Sequence, residues 1–355
     1  MSVTVDWDLA TATAVRLAPR GPKVTRDEAH AAVAELRQRA TEAQAHVRAY
    51  TGLVAEGGSS AVAVVDRPGW VRANVEGFRV VLDPLVARLS ERAARRRTPS
   101  DSPVAEAVGG VLTGLETGGL LAFLAGKVLG QYELFTPSAT GGRLLLVAPN
   151  IVAAERELTV DVSDFRLWVC LHEETHRVQF GANPWLRDHL LAQISGFVDD
   201  ADLEPAALLA RLRGVFRAVY GAVRGDESAP SLLEAVQSPA QREALDRVTA
   251  MMSLLEGHAD VVMDGVGPEV VPSVEQIRKR FQKRRGSSRP TEQVVRRLIG
   301  IDAKMRQYRD GAKFVRGVLD RAGMDGFNQV WTGPETLPLP AEIAHPAAWV
   351  RRVLG

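Results

Sequence analysis

Two histidines four residues apart with a glutamate beside the first constrain this chain more than any other feature: His172-Glu173-Glu174-Thr175-His176. On an α-helix positions i and i+4 share a face, so both imidazoles can reach one ion. Zinc takes imidazole nitrogen at about 2.0–2.1 Å in a tetrahedral shell, which this spacing permits. Glu173 then lies beside the open coordination position, where its carboxylate can take a proton from a metal-bound water. The surrounding residues follow a helical period. Phe165, Trp168, Val169, His172, Thr175, His176 and Gln179 to Phe180 continue one stripe, with Ser163 or Asp164 as N-cap and Gly181 as the stop. The plainer alternative is a pair of core histidines, each of which would need its own buried partner.

A catalytic zinc site needs a third protein ligand and one open corner. The extended pattern H-E-x-x-H-x-x-G-x-x-H would demand glycine at 179 and histidine at 182, where the chain has Gln179 and Ala182. The better candidate lies in Glu256-Gly257-His258-Ala259-Asp260, on a helix opened by the capping box Ser238-Pro239-Ala240-Gln241 and stopped at Gly265. Glu256 and Asp260 share a face. Glu256 is the candidate metal ligand; Asp260 is the candidate acceptor for the free ring N–H of a ligating histidine, a bond that fixes the tautomer and strengthens the ligand. Met252, Leu255, Ala259, Val262 and Met263 make this helix apolar, and carboxylates in such surroundings need a partner. His258 competes in the same turn but points to the other side, and His189, Glu227 and Glu234 stay open as weaker candidates. Gly257 is explained by close approach of a facing helix. On a later helix, from about residue 302 to 322, Tyr308 is the candidate hydrogen-bond donor to a tetrahedral oxyanion. A core tyrosine with a satisfied hydroxyl is its plainer reading.

The rest of the 355 residues reads as mainly α with a small β component. A Thr25-x-x-Glu28 capping box opens a helix to about Tyr50. Residues 61–65 are strand or loop, and 70–97 are helical in their second half. Residues 103–130 form one or two buried helices whose four-residue glycine spacing fits close helix packing. Leu144 to Val147 is the clearest strand, either buried or offering a free edge to an extended peptide. The polar break at Thr98–Pro103 separates an N-terminal helical segment (1–100), packed on the core, from the main domain (101–355) with its proline-rich, extended tail. The basic run from Arg278 to Arg285 reads as a solvated helix end, because a net charge of +1 gives no global pull toward nucleic acid. Charges divide residues 104–130 into runs too short to span a membrane. No signal peptide is legible, and the one cysteine, Cys170, reads as a core residue in a reducing compartment. The expected location is the cytoplasm.

HEETH followed at long range by EGHAD resembles the glutamate-zincin arrangement, though the separation of about 80 residues is longer than in thermolysin-like peptidases. The wider pattern LHEETHRVQF, LLEGHADVVMD, KMRQYRDGAKFV is similar to a zincin-like family common in actinobacteria. Its members are labelled zinc metalloproteases or "coenzyme F420 biosynthesis associated" proteins. The resemblance covers about residues 70 to 350; it implies a zincin-like metallopeptidase fold and no particular substrate. The expected function is a Zn²⁺-dependent peptidase acting on peptide or protein, with Glu173 as base, His172, His176 and Glu256 as ligands, and neither nucleic acid nor membrane as partner. The rival readings are a zinc amidohydrolase on a small non-peptide amide and a degenerate zincin that keeps its metal as a scaffold.

Overall fold

The structure, a computed structural model, describes residues 5–55, 62–95, 103–135, 142–199, 239–286 and 301–355. Helices α1 (Trp7–Leu17) and α2 (Arg26–Thr51) open it. α2 starts where its local chemistry dictates: Thr25 Oγ1 accepts from the Glu28 N–H at 3.2 Å, and the Glu28 carboxylate accepts from the Thr25 N–H at 2.6 Å. It ends at Gly52 in the left-handed conformation (φ 70°). Strand β1 (Val62–Val65) settles the short apolar run as strand.

Helix α3 (Arg67–Arg95) begins earlier than its sequence implies. Pro68 fits the first turn, where an N–H has no intrahelical partner, and the Asp66 carboxylate accepts from the Gly69 N–H at 2.7 Å. A proline-glycine pair thus starts a helix here and does not interrupt one. α4 (Pro103–Ala125) is a single helix. Gly114 and Gly118 lie against α1, where an added Cβ would stand 2.9 Å from the Asp6 carbonyl oxygen and 2.7 Å from that of Ala10. Among the described residues, no helix is long and apolar enough to cross a membrane.

β2 (Gly130–Glu133) and β3 (Arg143–Val147) complete a sheet of order β1-β3-β2, with β1 parallel and β2 antiparallel to β3. Residues from both sides of the 98–103 stretch therefore share one sheet. Leu144 to Val147 are fully buried in its centre, so the idea that this strand offers a free edge is corrected. Among the described residues the outer strands are β1 and β2. The Val147 N–H donates to the Leu129 carbonyl at 2.8 Å, and antiparallel pairs alternate. Gln131 and Glu133 consequently face β3, whereas Gly130 and Tyr132 turn their N–H and C=O groups away from it.

Then follow α5 (Ala148–Leu158), α6 (Val162–Ala182), α7 (Trp185–Asp199), α8 (Pro239–Gly265), α9 (Val274–Gly286) and α10 (Ile301–Asn328), the last broken at Gly323 (φ 65°). The tail beyond Gly323 is not extended. Pro334, Pro340 and Pro346 each open a short helical turn, the position where their fixed φ and missing N–H cost least. Trp331 and Trp349 are buried, and the Trp349 indole N–H donates to the Thr336 carbonyl at 2.7 Å.

α6 runs between two apolar cores. One is shared with α2, α5 and α9; the other, which includes Phe180, with α7, α8, α10 and the tail. Its cap is Asp161, whose carboxylate accepts from the Asp164 N–H at 2.9 Å, so the helix starts before the expected Ser163 or Asp164. Gly181 lies inside the helix. A Cβ there would stand 2.8 Å from the Ala55 side chain, so this glycine permits contact and does not terminate. Cys170 is fully buried, with Sγ 3.9 Å from the Leu36 carbonyl, and burial pushes its thiol pKa well up.

Candidate metal centre

α6 carries His172, Glu173 and His176, and α8 lays Glu256 across them. His172 Nε2 and His176 Nε2 are 3.2 Å apart, and Glu256 Oε2 is 3.5 Å from each. Ligands at zinc distances on a tetrahedron are separated by about 3.3 Å, so this triangle has the size of one tetrahedral face. Two imidazoles and one carboxylate also form a donor set suited to zinc. Among the described residues this is the one group of three metal-ligating side chains close enough to hold an ion.

The two glutamates of the motif have separate environments. Glu173 is buried against β2, where a Cβ at Gly130 would stand 2.5 Å from its Cγ and 2.8 Å from its Oε1. Glu174 points into the core and pairs with Arg177 at 2.5 Å; burial pushes its pKa up to about 7 against the pull of that guanidinium.

Burial alone would lower the His176 pKa. The hydrogen bond and charge of Glu256, followed by the Glu173 charge and the Gln179 amide, instead raise it to about 9. In metal-free protein this pair supports the fold fully below about pH 6.5, and that support is lost as pH rises through about 9. A cation must displace the proton. Apparent zinc affinity is therefore expected to fall about tenfold for each pH unit below about 9, measured by chelator competition between pH 6 and 9. An affinity flat over that range would contradict the assignment of His176 as a ligand.

The His176 ring is oriented by Gln179, which the sequence placed on the histidine stripe and otherwise showed only as a mismatch to a longer motif. His176 Nδ1 lies 2.9 Å from Gln179 Oε1, while Gln179 Nε2 reaches the Leu255 carbonyl at 2.9 Å and His258 Nδ1 at 3.0 Å. The readable signal was spacing: Gln179 follows His176 by three, on the same face.

Asp260 does not take that role. Its carboxylate binds Arg278 at 2.9 Å and lies 3.6 Å from Arg316, within a cluster that includes Asp264. One turn along α8 carries it about 6 Å beyond Glu256, toward basic side chains of α9 and α10. Two arginines of the basic run are less solvated than expected: Arg278 ties α9 to α8, and Arg280 donates to the Leu158 carbonyl at 2.8 Å. His189 sets its ring edge-on to Trp185 and is not part of the triangle. Tyr308 lies on α10, but its side chain is outside the described residues, as are Glu227, Glu234 and Ser238.

A family described as zincin-like metallopeptidase matches residues 5–350 of the chain. The chain is also similar to a crystal structure from Chloroflexus aurantiacus described as "a putative hydrolase with a novel fold". They share 30% identity over 98% of each chain, with a TM-score of 0.64. No curated protein matches.

Proposed function

The chain belongs to the zincin-like metallopeptidase family, and from that premise we propose that it is a zinc-dependent peptidase. In this reading His172, His176 and Glu256 hold the ion and Glu173 is the general base. The observation that carries it is the triangle of donor atoms, 3.2 to 3.5 Å on a side, built from two helices. A bound zinc supplies Lewis acidity, polarising the scissile carbonyl and making water a stronger acid. The Glu173 carboxylate accepts the proton of the attacking water and passes it to the leaving amine nitrogen. Tyr308 remains the candidate donor to the oxyanion.

Edge strand β2 favours an extended peptide as substrate. Gly130 turns its N–H and C=O away from β3, and its missing side chain makes room for Glu173. A peptide pairing with that edge would lie beside the base. Gly130→Ala is therefore expected to push Glu173 aside and lower turnover by up to about 100-fold, with zinc still bound. Steady-state kinetics with metal analysis checks this, and unchanged turnover would contradict the packing argument. One buried cysteine fits a cytoplasmic location. The narrower likeness to actinobacterial proteins labelled for coenzyme F420 implies no substrate.

Metal analysis of the purified protein with a peptide-library digest tests the function. The expected result is one zinc per chain and cleavage that a chelator stops and zinc restores. Zinc without cleavage of any peptide points to the scaffold reading, and hydrolysis confined to small amides points to an amidohydrolase.

A further inference from the structure

We propose that His258 is a positioning residue for the metal centre: through Gln179 it holds His176 in the tautomer that offers Nε2 to the ion. This deepens the peptidase reading above and rests on its metal site.

The hydrogen bonds leave one consistent arrangement. The Leu255 carbonyl can only accept, so the Gln179 nitrogen faces it and the Gln179 oxygen faces His176. His176 Nδ1 must then carry the hydrogen, which leaves the Nε2 lone pair directed at the triangle. The second amide hydrogen of Gln179 goes to His258 Nδ1, which must present a lone pair.

The surroundings of His258 give it little else to do. It is 1% exposed, with its ring beside Phe327 and Trp331 at centroid distances of 5.1 and 5.4 Å. Among the described residues its Nε2 is buried with no hydrogen-bond partner. An aliphatic or aromatic residue would fill this slot without burying an unpartnered nitrogen. What a histidine adds is the single bond to Gln179. Without that acceptor one Gln179 hydrogen would be buried unpaired, favouring rotamers that abandon His176.

Zinc affinity by chelator competition, on variants whose metal-free thermal unfolding shows them folded, tests the proposal. His258→Leu should raise the zinc Kd about tenfold or more, the usual effect of removing a partner behind a ligating histidine. His258→Asn places its Oδ1 where Nδ1 was and should stay near the wild-type Kd, although it fills the aromatic slot less well. Gln179→Met should lose as much as His258→Leu, and combining the two should lose little more. Equal losses in the Asn and Leu variants, or additive losses in the double variant, would show that only packing matters and overturn the proposal. Should His258→Leu not fold, Gln179→Met cuts the same relay, and unchanged zinc affinity there overturns it. Wild-type protein that binds no zinc removes the metal-site reading itself, and this inference with it.

Discussion

Glu173→Gln is expected to abolish measurable peptide hydrolysis while leaving the zinc content unchanged. Glutamine has nearly the same shape, so it keeps the contact with Gly130 and preserves the packing of α6 on β2. It cannot accept the proton of an attacking water, and removing a positioned general base costs about 10²–10⁴-fold in rate. His172, His176 and Glu256 are untouched, so metal affinity should stay near that of the wild type. The measurement is kcat on the best library substrate beside metal analysis of the same preparation. A variant with wild-type turnover would move the base elsewhere; one without zinc would show that Glu173 helps build the centre.

Gly311→Ala should cost more stability than adding a methyl at any other described glycine, since its Cβ would come closest to backbone. Gly257 on α8 and Gly311 on α10 meet backbone to backbone. A Cβ at 311 would overlap the Ser253 carbonyl and stand 3.3 Å from the Gly257 Cα, and a Cβ at 257 would overlap the Gly311 backbone. Neither neighbour is a flexible side chain that could swing away. The helices must separate, and forced overpacking of this kind costs about 3 kcal/mol. Because Glu256 precedes Gly257, the shift should also carry the third ligand away from the histidines and weaken zinc binding. Thermal unfolding with and without chelator checks both, and a midpoint close to wild type would mean that the crossing is looser than described.

Features set by near neighbours in sequence were legible before any coordinates. The Thr25 capping box, the stripe of α6 and the four-residue step between His172 and His176 all depend on helix geometry alone. Gly257 as a point of close helix contact was also readable, since a glycine in a long apolar helix needs a reason. Asp260 failed because sharing a helical face with Glu256 does not say what that face meets one turn further along. Arg278 and Arg316, on later helices, decide that. Gln179 and His258 were hidden for the same reason, since their bond joins residues 79 apart in sequence. Leu144 to Val147 was recognisable as strand, yet whether its edges were used depended on β1, some 80 residues earlier. The tail misled because prolines that open helical turns and prolines that keep a chain extended look alike in composition.

The side chain that steadies His176 is an uncharged amide. With a doubly positive ion in place, ionised Glu173 and Glu256 balance it, and Gln179 adds nothing to the sum. The pocket is then electroneutral, where a carboxylate at 179 would have left it with surplus negative charge. In the proposed reaction each peptide bond cut would release a new carboxylate beside the ion. A neutral interior would let that product form without being pushed against a like charge.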